Sequence, residues 1–412
     1  MSDEFGDILD PYKRLKIPLG FKASRTYHQV THNPSSAKPG ETLYVRIPKL
    51  EKNTIIVPRT FCLTFDLELS GDAGNYIVNN IKNIVKHLTF NIGDNEILRL
   101  NRHDLYSSYK DLFLSSDERS NKIFEGIQSE NLRKSRIKPQ SSSKSADAKD
   151  ASLATIFSNR YRLFFNVIDF LKTPIYPFCI SQDILITITL NDVSHLLVAT
   201  VAKDYNYEIK NIHMEYETVT SKLYADIIRE AYQVGTTILC TNVVLFREEY
   251  IKKADTIFNV NINVPRSSLK GILMLFREDL TPATHDSELF YNPMIKEIKI
   301  TVEGLPNLVY SQDYKAQQQY SEICRYFKKS NPYVTLANFY ADNKFGLFID
   351  FRSNADDQLH GSGLKIVNSK DGIQLQITKS NTGASGNIMA FTYLISDSQF
   401  NIIDCLIRDF VN

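Results

Sequence analysis

The chain has 412 residues, with 48 lysines and arginines against 47 aspartates and glutamates, and with 43% apolar and 23% charged side chains. That length allows two or three domains, and the ordinary composition excludes a wholly disordered, collagen-like or coiled-coil chain. A formal net charge of +1 leaves no strong global field to draw it onto nucleic acid or an anionic membrane, so no specific nucleic acid is expected as a partner.

The start, Met1-Ser2-Asp3-Glu4-Phe5-Gly6-Asp7, is acidic and lacks the basic and apolar regions of a signal peptide. No apolar run approaches the ~20 residues that span a bilayer, so cytosolic synthesis without a transmembrane segment is expected. Residues 1–40 are rich in Pro, Ser and basic side chains (Lys13, Arg14, Lys16, Lys22, Arg25) without a sustained period, and read as an N-terminal arm. His28 and His32 have the spacing of helical zinc ligands. They lack helical periodicity and the glutamate of HExxH, so they read as solvated arm residues.

From residue 41 the dominant signal is alternation with a period of two. Phe61, Leu63, Phe65, Leu67 and Leu69 fall on one face of a strand, with Thr64, Asp66 and Glu68 on the other. Ile184, Ile186, Ile188 and Leu190, and later Phe258, Val260, Ile262 and Val264, behave alike. Further strands are predicted at 43–48, 84–92, 162–168, 207–218, 243–248, 269–276, 295–302, 345–351, 372–378 and 389–395. Helical patterns are confined to 104–114, 117–127, 221–232 and 313–327, where they read as insertions between antiparallel strands. Residues 128–154 are Ser- and Lys-rich, too poor in apolar side chains to offset ordering entropy, and are expected to form an exposed mobile loop.

The text also repeats itself. Val57-Pro58-Arg59-Thr60 and the strand after it resemble Val264-Pro265-Arg266-Ser267 and its strand. Ile81-Lys82-Asn83-Ile84 leads through a strand, Gly93 and a helix, as Ile295-Lys296-Glu297-Ile298 leads through a strand, Gly304 and a helix. The offsets, roughly 207 to 214 residues, nearly agree, and duplication of one strand-rich unit is the simplest reading. About eight short strands per unit with long connections suit a jelly roll, so the expected fold class is all-β, two tandem eight-stranded antiparallel jelly rolls with short inserted helices. The first would span 41–233 and the second 234–412.

Chemistry is hard to find in this text. The five cysteines, Cys62, Cys179, Cys240, Cys324 and Cys405, are scattered, odd in number and never in a CxxC pair, and read as reduced. His360-Gly361-Ser362-Gly363 lacks the glycine spacing that a nucleophile elbow requires, and Gly383-Ala384-Ser385-Gly386 lacks the lysine of a phosphate loop. No His-x-His pair offers a cupin-like metal cluster. The acid pairs Asp356-Asp357 and Glu248-Glu249 read as solvated charge, and so does Arg133-Lys134-Ser135-Arg136. No catalytic, cofactor-binding or metal residue is assigned, and no enzyme activity or cofactor is expected.

Val264-Pro265-Arg266, the segment from Tyr291-Asn292-Pro293 to Ile300-Thr301-Val302-Glu303-Gly304-Leu305-Pro306-Asn307, and Phe391-Thr392-Tyr393-Leu394-Ile395 carry a resemblance. Over about residues 40–412 the chain resembles double jelly-roll, hexon-like major capsid proteins, in particular those of Polinton/Maverick-type elements and adintoviruses. The resemblance implies a homotrimer whose six jelly rolls make a pseudo-hexameric capsomer tiling an icosahedral virion capsid, with penton and other minor capsid proteins as partners. It implies synthesis in the host cytoplasm and assembly there or in the nucleus. In such a capsomer the 128–154 loop is expected outside and the arm beneath the shell. The alternative is a two-domain jelly-roll glycan-binding protein or glycan-processing enzyme, for which the 22 tyrosines and 24 phenylalanines could supply platforms.

Overall fold

A computed structural model describes residues 23–70, 76–78, 80–122, 125–127, 159–198, 206–278, 286–307, 316–327, 332–353, 361–366, 372–380 and 387–411. The 128–154 segment therefore lies outside the described residues, except that its flanks at 125–127 and 159 are placed.

The first half runs β1 (Ser24–Thr31), β2 (Thr42–Arg46), β3 (Thr54–Ile56), β4 (Cys62–Ser70), β5 (Tyr76–Ile77), β6 (Val85–Ile92) and β7 (Asn95–Asn101). Helices α1 (His103–Leu112) and α2 (Ser116–Ser120) follow, then β8 (Arg160–Phe164), β9 (Ile184–Leu190), α3 (Val193–Leu196), β10 (Leu197–Val198), β11 (Asn206–Thr220) and α4 (Lys222–Val234). The second half runs β12 (Thr236–Ile251), β13 (Ile257–Ile262), β14 (Arg266–Glu278), β15 (Ile295–Val302), β16 (Leu305–Pro306), α5 (Ala316–Phe327), α6 (Leu336–Ala341), β17 (Gly346–Asp350), β18 (Leu364–Ile366), β19 (Ile373–Lys379), β20 (Ile388–Ile403) and β21 (Leu406–Val411).

Two principal sheets belong to each half, beside a two-stranded β5-β10 ladder in the first. In the first they run β1-β11-β4-β8 and β2-β9-β6-β7; in the second, β12-β20-β14-β17 and β13-β19-β15-β16. Taking the eight principal strands of each half in chain order, both halves read 1-8-3-6 in one sheet and 2-7-4-5 in the other. Chain-distant strands are neighbours in the same pattern twice, and the registered ladders between named strands are antiparallel. That is the jelly-roll topology, duplicated. β3 and β18 pair beside β11 and β14, and β21 pairs with β20.

Alternation places the cores. Leu63, Phe65, Leu67 and Leu69 on β4, Ile186 and Ile188 on β9, and Leu88 and Phe90 on β6 are buried in one apolar cluster. Phe258, Val260 and Ile262 on β13 are buried likewise, and Phe258 meets Phe276 of β14 edge-on at 6.2 Å. Helix α4 starts at Ser221, whose side chain accepts from the Tyr224 N–H, and stops at Gly235, which takes φ +116° where a side chain would be strained.

Two compact units emerge. One lies within Met1–His103, Lys122–Cys240 and Gln399–Val411, the other within Asp104–Asn121 and Thr241–Ser398. Asp104–Asn121, residues 234–240 and Gln399–Val411 thus fall across the linear division at 233/234, because a cut made on sequence alone cannot see a segment that packs with the other half. The arm reading of 1–40 also needs correction over Ser24–Thr31, which pair residue for residue with β11 as far as Ser24↔Thr220 and Thr31↔His213.

Candidate functional site

In a jelly roll the inner faces are spent on the core, so function must come from the outer faces and loops. On the β1-β11-β4-β8 sheet of the first unit, the outward residues are charged and converge on Glu215 of β11. Its Oε1 accepts from Thr64 Oγ1 at 3.0 Å and from Gln29 Nε2 at 3.2 Å, with Arg160 Nη2 at 3.7 Å; Arg162 Nη2 lies 3.3 Å from Oε2. Tyr27 completes the ring from β1, and burial together with its hydrogen bond to Glu215 pushes its hydroxyl pKa up to about 12. Burial likewise pushes the Cys62 thiol up to about 11, even though Arg162 lies beside it and favours the thiolate. The flanking pairs Arg160–Asp66 at 3.3 Å, Lys210–Glu68 at 2.7 Å and Arg25–Glu217 extend this layer across the sheet. It is a charge-matched surface whose carboxylates and guanidinia are already paired.

The equivalent sheet of the second unit is covered. Tyr106 and Tyr109 of α1 and Tyr326 and Phe327 of α5 lie over it: Tyr106 meets Tyr393 of β20 at 5.7 Å, and Tyr326 stacks on Phe348 of β17 at 4.3 Å. Tyr109 meets Phe290 edge-on at 4.9 Å and sits so close to Gly346 that an added Cβ would lie 2.4 Å from its hydroxyl. Beneath this layer Lys270 Nζ is 2.5 Å from Asp397 Oδ1, with both side chains buried. Asp397 Oδ2 also accepts from Ser268 Oγ at 2.7 Å and from the Gly361 N–H at 2.9 Å, while the Gly363 N–H donates to Ser268 Oγ at 3.0 Å. Gly361-Ser362-Gly363 therefore clips a turn onto the sheet and builds no nucleophile elbow.

The other residues that the sequence singled out are accounted for locally. His28 stacks on Tyr216 at 5.0 Å and bonds Thr218 Oγ1 at 2.8 Å, and the His32 ring bonds the Tyr44 and Pro34 carbonyls at 2.8 and 3.0 Å. The two rings serve different strands and form no ligand pair. Glu248 and Glu249 follow one another on β12, with Glu249 beside Arg247 at 3.4 Å. Asp356-Asp357, Arg133-Lys134-Ser135-Arg136, His360 and Gly383-Ala384-Ser385-Gly386 lie outside the described residues. Among the described residues, no three His, Cys, Asp or Glu side chains are grouped so as to hold a metal ion, and no helix is long and apolar enough to cross a membrane.

The β13-β19-β15 face of the second unit carries a concavity of about 430 Å³ lined by Asn259, Asn261, Lys299, Thr301, Gln374, Leu375 and Gln376. Register explains it: Gln376 lies opposite both Asn259 and Lys299, and Gln374 opposite Asn261 and Thr301, so two polar rows cross three strands. The sequence displayed these alternating polar positions but not their alignment. The same holds for Glu215 and Lys270–Asp397, whose partners come from strands far away in the chain.

No protein-family profile matches the chain, and no curated protein matches it in sequence. Solved structures do match, nearly end to end. The PBCV-1 virus capsid aligns with a TM-score of 0.59 at 12% identity, covering 94% of this chain and 97% of that one. The mavirus major capsid protein aligns at 0.53 and 12% identity over 97% and 91%, and the Faustovirus major capsid protein at 0.54 and 10% over 93% and 92%. The chain has the double jelly-roll fold of viral major capsid proteins. The double jelly roll accounts for the duplicated strand order.

Proposed function

We propose that this double jelly-roll chain is a major capsid protein, three copies of which associate into a pseudo-hexameric capsomer that tiles an icosahedral shell. The observation that carries the reading is the duplication, since three chains with two like units supply six similar wedges around one axis. Outer surfaces already paired in charge, with apolar side chains such as Tyr44, Phe178 and Tyr250 exposed singly, suit modest contacts multiplied by symmetry. In this reading the role is structural, the place is the virion capsid, and the partners are neighbouring capsomers with penton and other minor capsid proteins. Light scattering after size exclusion tests it: a trimer of about 142 kDa, three times 47.2 kDa, with a hexagonal outline in negative stain is expected, and a stable monomer overturns it.

The amide-lined concavity on the second unit is the one observation favouring glycan binding. No aromatic side chain stands in its lining to serve as a platform, which places that reading second. A glycan array on the purified protein decides it.

A further inference from the structure

Two thiols 226 positions apart in the sequence meet within the first unit. The sulfurs of Cys179 and Cys405 are in direct contact at 2.6 Å, and both side chains are half-buried, within reach of a small solute. The meeting is fixed by backbone on both sides. Cys179 N–H donates to the Tyr176 carbonyl at 3.1 Å, Cys405 N–H to the Tyr232 carbonyl at 3.2 Å, and the Cys405 carbonyl accepts from the Ser181 N–H at 3.4 Å. Ile407 N–H donates to Gln182 Oε1 at 2.8 Å. Asp404 and Cys405, both at positive φ, form the turn between β20 and β21 that brings the second thiol to the first.

We propose that Cys179 and Cys405 form a redox clasp, oxidised by a low-molecular-weight disulfide of the glutathione class to an intramolecular disulfide that fastens the β20–β21 turn to the first unit. The inference stands on this geometry alone, whatever the chain assembles into. Burial, and then the hydrogen bond to Cys405, push the Cys179 thiol up to about 12, which slows exchange at that sulfur. One of the two sulfurs, its proton lost to water, attacks the external disulfide, forming a mixed disulfide and releasing one thiolate, which is protonated from water. The other sulfur, its proton passed to water, then attacks the first and expels the second thiolate, which is protonated from water. Two thiols are oxidised, one external disulfide is reduced to two thiols, and the electrons balance. In a reducing cytosol the clasp is open, and in an oxidising medium it closes.

The clasp encloses nearly the whole second unit in its loop, and a loop of that length removes much chain entropy from the unfolded state. The test is to equilibrate the purified full-length protein in glutathione mixtures from fully reduced to fully oxidised, then quench, alkylate and map peptides. Expected are a mass loss of about 2 Da, a single Cys179–Cys405 linked peptide with the other three cysteines alkylated, and a Tm higher by roughly 5 °C. Cys179→Ser and Cys405→Ser should each abolish the link and the Tm shift. Persistent glutathione adducts at either residue, a link to a different cysteine, or two free thiols at the oxidised extreme would overturn the proposal. The wild-type map decides the question even if a serine variant does not fold.

Discussion

At the scale of single residues, the side chains that cost most to disturb are polar and buried. Lys270 and Asp397 face each other out of water, and the carboxylate is further held by Ser268 and the Gly361 N–H. Lys270→Met leaves that charge uncompensated and should cost about 3–5 kcal/mol, measured by denaturant unfolding. Adding Asp397→Asn removes the orphan charge while keeping an oxygen for Ser268, so the double variant is expected to be more stable than the single one. Cys62 gives a pH prediction with a definite sign. Its thiol ionises near 9 in the unfolded chain but only near 11 in the fold, so the stability it contributes is complete below pH 9 and is lost between 9 and 11. Unfolding curves across that window should fall by about 2 kcal/mol more for the wild type than for Cys62→Ala. Neither the pair nor the burial of Cys62 was legible in the sequence, because each depends on which strand lies alongside.

At the scale of elements, strands with one wet face were easy to read and a strand with no buried face was not. β9 and β13 alternate cleanly, and their observed limits, Ile184–Leu190 and Ile257–Ile262, follow the alternation. β1 has no buried face, so it writes no apolar stripe, and the sequence makes it look like an arm. What holds it is its ladder with β11 and polar pairs such as His28–Thr218 and Gln29–Glu215. β14 was read as a strand at 269–276 without alternation: from Ser268 to Arg277 it is buried on both faces, so the period of two gives way to a continuous apolar run. A chain beginning at residue 32 should expose the β11 edge and Glu215, with a Tm several degrees lower and a greater tendency to aggregate, read by thermal scanning with light scattering. An unchanged Tm would show that β1 is an ornament of the sheet.

At the scale of the molecule, the duplication was legible because both copies keep their landmarks, Val-Pro-Arg before β4 and β14 and a helix after β7 and β16. The exchange of segments was not, since periodicity reports a local face and never says which half will cover it. Without Asp104–Asn121 the second unit loses Tyr106 and Tyr109 from over Tyr393, Phe290 and Gly346. Residues 234–412 expressed alone are therefore expected to bind a hydrophobic dye strongly and to lack a cooperative thermal transition; a sharp transition in that fragment would contradict the unit boundaries. The reciprocal debt has a consequence in time. Gln399–Val411 belong to the first unit but are made only after Thr241–Ser398 of the second, so at ordinary elongation rates that unit waits on the order of 10–30 s, unfinished, while its twin is made. A transcript cut short or a translation aborted between residues 241 and 398 yields a chain whose first unit never closes, so completion of the earlier unit acts as a receipt for synthesis of the later one.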